Sequence, residues 1–195
     1  MVASLTPVPQ LDPAWIRAVL FEHRIDDWVD CAVDPATRHW AGRLFADQVE
    51  AAYLSWKWWS DRSGVNVDDL PPEAALPDAL TLAVVSSTWP DLVCAVATVG
   101  LAQSLLFADL ASSDDPAQRR TFSRPAGDSA GHVEQAYGYL HSGHGLERGG
   151  VIDRLQHLVP ATASWIGDLP LPELSTAWRE QAAARLQPLG LPSPS

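Results

Sequence analysis

An apolar run near the middle of the chain is the feature that most limits the folds open to it. Residues Leu92–Ala108 carry no charged side chain and are apolar on nearly all sides of a helix. A helix of this kind is buried, either at the centre of a bundle or in a membrane. The run is short for a membrane span and contains Thr98, Gln103 and Ser104, which favours a core helix. The sequence therefore predicts a bundle built around this segment.

Apolar side chains at helical spacing recur through most of the chain. No run alternates with a period of two, and no hairpin turn joins two apolar stretches, so the predicted class is all-α. Pro90 either kinks the central helix or divides it in two, and Pro160 is expected to end a later helix. The predicted helices cover residues 12–32, 37–61, 78–88, 91–111, 116–123, 128–141, 150–159, 161–166 and 173–186.

The chain length fits one domain with a full core. At 195 residues and 21.1 kDa, a single helical-bundle domain is predicted over residues 12–188. A flexible N-terminal arm is predicted over 1–11 and a disordered tail over 189–195. The N-terminus has no basic stretch followed by an apolar one, which predicts a cytoplasmic protein without a secretory signal.

The chain is acidic, with a net charge of −11 and a pI near 4.7. Binding to nucleic acid or to an anionic membrane surface requires a basic face, so the composition argues against both partners. A cationic or neutral ligand and a basic protein partner stay compatible with it. The two cysteines, Cys31 and Cys94, lie in apolar helical runs and are predicted to be free, buried thiols.

Two common catalytic motifs do not fit their context. A phosphate-binding loop needs a glycine turn between a strand and a helix, usually with a lysine. The glycine-rich segment GHGLERGG follows a predicted helix, and Lys57 is the only lysine. A serine nucleophile elbow needs a strand as well, and none is predicted.

Acidic residues and one histidine at helical spacing are candidate ligands of a two-metal site. Such sites take a glutamate from each of two helices and a Glu-x-x-His pair from each of the other two, and they suit iron or manganese. The set is incomplete, because only the helix over 128–141 supplies a histidine. The alternative is that these acids are helix caps, exposed charges or partners of arginines. The candidate ligands are Glu22, Asp47, Glu50, Asp128 and His132.

Other histidines and the tryptophans form two further groups. His141 and His144 flank a glycine-rich connector, where an exposed turn is favoured over a metal site. Trp56, Trp58 and Trp59 are too close in sequence to face one core. Some of them are therefore predicted to cover a partner, a neighbouring helix or a ligand pocket.

Six segments of the chain resemble segments of one known family, in the same order and at similar spacing. They are FEHRIDDW (21–28), RLFADQVEAAYL (43–54), LFADLASSDDPAQRR (106–120), DSAGHVEQAYGYL (128–140), SGHGLER (142–148) and DRLQHLVPAT (153–162). They resemble the ferritin-like subunits of bacterial phenylacetyl-CoA epoxidase, a multicomponent monooxygenase. The likeness covers most of residues 15–170 and is closer to the structural, non-catalytic subunit than to the catalytic one.

The resemblance implies a ferritin-like bundle that has lost part of a metal site. In the family's catalytic subunit, iron is held by carboxylates and Glu-x-x-His pairs. Here Asp47 stands where the second helix has its glutamate, and Glu50 stands where that helix has its histidine. Ser129 stands in the place of the fourth helix's glutamate, while His132 keeps the histidine position. The structural subunit departs from the ligand pattern in a similar way.

Three functional hypotheses stay open at this point. The resemblance favours a scaffold subunit of phenylacetate catabolism without a cofactor, forming a homodimer or a heterodimer with a catalytic ferritin-like subunit. The second hypothesis is a di-metal oxidase or hydroxylase that uses iron or manganese and an atypical ligand set. The third is a bundle that binds a small apolar ligand without chemistry. Convergence of the candidate ligands on one point would favour the second hypothesis, and pairing with arginines would count against it.

Overall fold

The structure, a computed structural model, describes residues 27–64, 88–168 and 171–190. Of these residues, 87% are helical and none is in a strand, which confirms the predicted all-α class. The predicted helical segments 12–26 and 78–87, the arm over 1–11 and the tail from 191 lie outside the described residues. The helices are α1 (Asp27–Asp30), α2 (Pro35–Ser63), α3 (Trp89–Ala111), α4 (Pro116–Ser142), α5 (Arg148–Gly167) and α6 (Pro172–Leu186), followed by a 3-10 turn over Gln187–Leu189.

The apolar run of the sequence forms α3, which lies at the centre of the described helices. By length and composition α3 could cross a membrane, but 83% of its most apolar window is buried inside the protein. It packs against α4, α5 and α6. Pro90 lies in its first turn, where a missing N–H costs no helical hydrogen bond. The prediction of a buried core helix is therefore confirmed.

One turn of α3 departs from α-helical geometry. Val96–Gly100 is wound as a π-helix between two α-helical segments, Trp89–Ala95 and Leu101–Ala111. Side chains from two other helices bind carbonyls in this turn. The Tyr137 hydroxyl on α4 donates to the Ala97 carbonyl at 2.7 Å, and the Trp178 indole N–H on α6 donates to the Thr98 carbonyl at 3.0 Å. The widened turn thus ties α4 and α6 to α3 by buried hydrogen bonds.

The ends of α2 follow from local chemistry. Asp34 and Thr37 form a capping box, in which the Asp34 carboxylate accepts from the Thr37 N–H at 2.8 Å. The Thr37 hydroxyl accepts from the Asp34 N–H in return, and Pro35 occupies the first turn. The helix ends at Gly64, whose φ of 69° lies in the left-handed region that favours glycine.

A reciprocal amide pair connects the middle of α2 to α3. The Gln48 side-chain amide donates to the Gln103 oxygen at 2.8 Å, and the Gln103 amide donates back to the Gln48 oxygen at 2.6 Å. Both side chains are buried. Because a buried amide without partners is costly, this pair fixes the position of α2 along α3.

Two predicted helix breaks, the gap between residues 123 and 128 and the end at Pro160, are wrong. Pro125 lies inside α4 and Pro160 lies inside α5, so the breaks expected after residues 123 and 159 do not occur. A proline removes one backbone hydrogen bond and costs about 3 kcal/mol in a helix interior. Here Phe122 and Ser129 are buried on either side of Pro125, and Val159 is buried beside Pro160. Tertiary packing on both sides of each proline offsets the local cost.

The two cysteines are free, as predicted. Cys94 is buried in α3, and burial raises the pKa of its thiol to about 12. Cys31 is only partly buried, in the turn between α1 and α2, so the prediction of burial is confirmed for Cys94 alone. Because its pKa is raised, the Cys94 thiol is not a nucleophile near neutral pH.

Loss of the Tyr137 hydroxyl should destabilise the bundle without changing its packing volume. Burial raises the pKa of Tyr137, so the phenol stays protonated and can donate to Ala97. We expect Tyr137→Phe to lower the free energy of unfolding by about 1–3 kcal/mol, because the buried carbonyl loses its partner. Urea denaturation checks this, with the exposed Tyr53→Phe as control. Equal stability of both variants and the parent protein would contradict the role given to the bond.

Candidate functional site

Two of the predicted ligands meet at the seam between α2 and α4. The Nε2 atom of His132 on α4 lies 2.8 Å from Oδ2 of Asp47 on α2. The side chains are only 7% and 14% exposed, respectively, so the hydrogen bond is shielded from water. The guanidinium of Arg43, one turn before Asp47, lies 3.9 Å from the same oxygen and is mostly exposed. The structure therefore joins an acid and a base into one buried pair.

A cluster of aromatic rings lies on the His132 side of this pair. The Trp40 ring meets the His132 ring edge to face, with 6.2 Å between centroids. Trp40 also packs edge to face against Trp89 and Tyr139. Its own indole N–H is buried and finds no hydrogen-bond acceptor among the described residues. The low polarity of this surrounding strengthens the bond between Asp47 and His132.

Two further candidate ligands, Glu50 and Asp128, bind the same arginine. The Arg124 guanidinium on α4 lies 2.8 Å from Oε1 of Glu50 and 3.3 Å from Oδ2 of Asp128. Arg124 is 65% exposed, and Glu50 is also substantially exposed. The guanidinium thus bridges one carboxylate on α2 and one on its own helix, supplying the positive charge that both acids need.

The four predicted ligands that the structure describes therefore form two separate groups. Glu22 lies outside the described residues. Asp47 and His132 bind each other, while Glu50 and Asp128 share Arg124. Within residues 27–64, 88–168 and 171–190, no group of three or more histidine, cysteine or acidic side chains is placed to hold a metal ion.

The glycine-rich connector packs against the start of α2. Nε2 of His144 lies 2.6 Å from Oδ2 of the capping residue Asp34, and the Trp89 indole donates to the His144 carbonyl at 3.0 Å. Gly145 has a φ of 65°, and a Cβ atom there would lie 2.7 Å from Val33. Glycine is therefore required for this close approach. His144 is nevertheless 47% exposed, as predicted for this turn, although its ring and its carbonyl both contact the body of the protein.

His141 lies in the last turn of α4, just before the glycine-rich connector. Its Nε2 atom lies 3.2 Å from the carbonyl of Arg185 on α6, and its ring is stacked at a tilt on Tyr137. A cavity of about 340 Å³ opens next to it, which is large enough for a small ligand. The cavity is lined by Leu140, His141, Ser142, Gly143, Leu146, Arg148, Val151, Ile152, Pro188 and Leu189.

The tryptophan group divides between inner and outer positions. Trp58 is buried and meets Phe122 of α4 edge to face, with the Arg62 guanidinium 4.8 Å from its ring centroid. Trp56 is half-buried and packs against the core. Nothing is described for the side chain of Trp59. Trp58 therefore covers a neighbouring helix, which is one of the three roles predicted for the group.

Arg124 and the glutamine pair were missed by sequence reasoning. Arg124 carries one usable signal, because Asp128 follows it by four residues and the two can pair on a helix surface. Gln48 and Gln103 carry no such signal, since each is a polar residue within an apolar stripe and their pairing is evident only after the helices are placed.

Comparisons with protein-family models and with curated protein sequences both give no match. Functional inference thus depends on the residues of this chain.

Removal of the Asp47 carboxylate should leave His132 buried without its partner. We expect Asp47→Ala to lower the free energy of unfolding by about 1–3 kcal/mol, because a buried hydrogen bond is lost. Asp153→Ala is the matched control, since Asp153 is an exposed acid on α5, away from the seam between α2 and α4. That control should change stability by less than about 0.5 kcal/mol. Urea denaturation measures both, and equal effects would contradict the importance of the buried pair.

The cap of α2 should contribute stability that depends on pH. The pKa of Asp34 is lowered to about 2, first by the hydrogen bond from the Thr37 N–H and then by the His144 side chain. Since the folded pKa lies below the unfolded one, the contribution is present above about pH 4 and is lost as the pH falls through about 2. We expect Asp34→Asn to lower Tm at pH 6, with the difference closing towards pH 2. A difference that is constant with pH would contradict this assignment.

Proposed function

We propose that this protein is a non-catalytic, ferritin-like subunit that stabilises a partner protein. The observation that supports the proposal best is the pairing of the described candidate ligands inside the chain. Asp47 binds His132, and Arg124 binds both Glu50 and Asp128. In a di-metal bundle, metal ions would neutralise such carboxylates and connect the helices. In this chain, Arg124 supplies positive charge to Glu50 and Asp128, His132 forms a hydrogen bond with Asp47, and both contacts connect α2 to α4.

The resemblance to the structural subunit of phenylacetyl-CoA epoxidase agrees with this proposal. That subunit also departs from the ligand pattern while belonging to the ferritin-like family. Ser129, which takes the place of a glutamate ligand, is buried on the same helix as His132. A serine hydroxyl is a weaker ligand for iron or manganese than a carboxylate, so the substitution reduces metal affinity at this position. The proposed partner is a catalytic ferritin-like subunit, and no cofactor is assigned to this chain.

A di-metal oxidase or hydroxylase is the second candidate, and the direct contact of Asp47 with His132 favours it. These two residues come from different helices and lie close enough to bind one metal ion together. Glu50 and Asp128 would supply further ligands only if Arg124 released them. This alternative requires that an ion pair be exchanged for metal, whereas the scaffold proposal uses the contacts as they stand.

Metal content separates the two candidates. The protein is purified from cells supplemented with iron and manganese, together with Asp47→Ala, His132→Ala and the control Asp153→Ala. We expect elemental analysis to find much less than one metal ion per chain in all four samples. About two metal ions per chain in the parent protein and in the control, lost in the other two variants, would overturn the scaffold proposal in favour of the oxidase. Circular dichroism confirms that each variant is folded.

A further inference from the structure

The side of α2 that faces away from the core carries an uncharged stripe. With 3.6 residues per turn, seven residues between Gly42 and Trp56 project on one side of the helix. The stripe is about 21 Å long at 1.5 Å per residue. We call it the outer face of α2. Its members are Gly42, Phe45, Ala46, Val49, Ala52, Tyr53 and Trp56.

Apolar side chains on the outer face are unusually exposed. Among the described residues, three large hydrophobic side chains are exposed, and two of them, Val49 at 48% and Tyr53 at 63%, lie on this face. Of the residues that the structure describes, none lies within 4 Å of a Cβ atom built at Gly42. Exposed tyrosine and valine beside half-buried Phe45 and Trp56 are typical of an interface and not of an ordinary surface.

Charges along one edge of the outer face indicate what covers it. Arg43, Glu50, Lys57 and Asp61 alternate in sign there. Each is paired within the chain: Arg43 lies 3.9 Å from Asp47, and Glu50 and Lys57 lie 2.8 and 3.2 Å from Arg124 and Asp61, respectively. The edge is therefore locally neutral, although the whole chain has a net charge of −11. A second acidic chain can approach this edge without the repulsion that its net charge would otherwise produce.

The order of these charges is self-complementary in one arrangement. Arg43 and Asp61 lie at equal sequence distances on either side of Ala52, and both are exposed. When two identical helices cross antiparallel about a two-fold axis, each edge meets the same edge of its partner. An axis near Ala52 therefore places Arg43 opposite the partner's Asp61. It also brings Val49 and Tyr53 of the two chains together at the centre.

We infer that the outer face of α2 binds a second copy of this chain, in an antiparallel pairing centred near Ala52. The apolar stripe supplies the buried surface, and the alternating charges at its edge select the direction and register. This inference rests on the proposed scaffold function, to which it adds the interface and the identity of the first partner. A catalytic subunit would then bind elsewhere on the dimer.

Sedimentation velocity over a range of concentrations tests the inference. We expect the full chain to form a concentration-dependent dimer. Tyr53→Glu should weaken the dimer at least tenfold, because it places two carboxylates close to the axis. Ala130→Glu is the matched control, since Ala130 is an exposed alanine on α4, and it should leave the dimer unchanged. Circular dichroism and Tm establish that each variant is folded.

Charge reversal tests the register independently of the apolar contact. Arg43→Glu and Asp61→Arg should each weaken the dimer, because each places like charges opposite one another. The double variant should restore it, because the two positions exchange their charges across the axis. Failure of the double variant to recover would overturn the antiparallel register. A dimer that Tyr53→Glu leaves intact would overturn the interface.

Other occupants of the outer face give distinct results. If the parent protein is monomeric and Tyr53→Glu lowers its Tm, the chain itself covers the face. If the parent protein is monomeric and Tyr53→Glu abolishes binding to a different subunit, the face forms a heterodimer. Either result overturns the inference but leaves the scaffold proposal standing. A dimer that follows the expected variant pattern but holds two metal ions per chain would overturn the scaffold proposal and leave the interface intact.

Discussion

Two backbone carbonyls in the widened turn of α3 fix the helices packed around it. The Ala97 carbonyl is bound by Tyr137 of α4, and the Thr98 carbonyl is bound by Trp178 of α6. A slide of α4 would take the Tyr137 hydroxyl from the Ala97 carbonyl, and a slide of α6 would leave the buried Trp178 indole N–H without an acceptor. Each loss costs about 1–3 kcal/mol. An apolar core alone would permit several registers of similar energy, whereas directional hydrogen bonds to a few backbone atoms select one.

The candidate site is a consequence of that register. Tyr137 fixes α4 on α3, and the reciprocal bonds between Gln48 and Gln103 fix α2 on α3. Together these contacts bring Asp47, the neighbour of Gln48, against His132 on α4. The seam between α2 and α4 is thus closed by side chains of the protein itself. Asp47 thus has its hydrogen-bond partner within the protein, on a different helix.

The sequence predicted the class of the fold from one strong signal and missed what depends on tertiary contacts. The uncharged run Leu92–Ala108 had to be buried, so the all-α class and the central helix followed. The π-helical turn had no local signature, because its stability comes from Tyr137 and Trp178 on distant helices. The gap predicted between residues 123 and 128 is absent, since buried neighbours offset the cost that Pro125 has in isolation. Asp47 and His132 were recognised separately, but their pairing across 85 residues required the register of the helices.

The coupling free energy between Asp47 and His132 tests this account most directly. Urea denaturation of the parent protein, Asp47→Ala, His132→Ala and the double variant forms a complete double-mutant cycle. If the buried pair closes the seam between α2 and α4, the two substitutions should be non-additive by about 1–3 kcal/mol. Additive effects would show that the two residues stabilise the fold independently. The pair would then not be the contact that joins these helices, and both residues would be free to serve another partner.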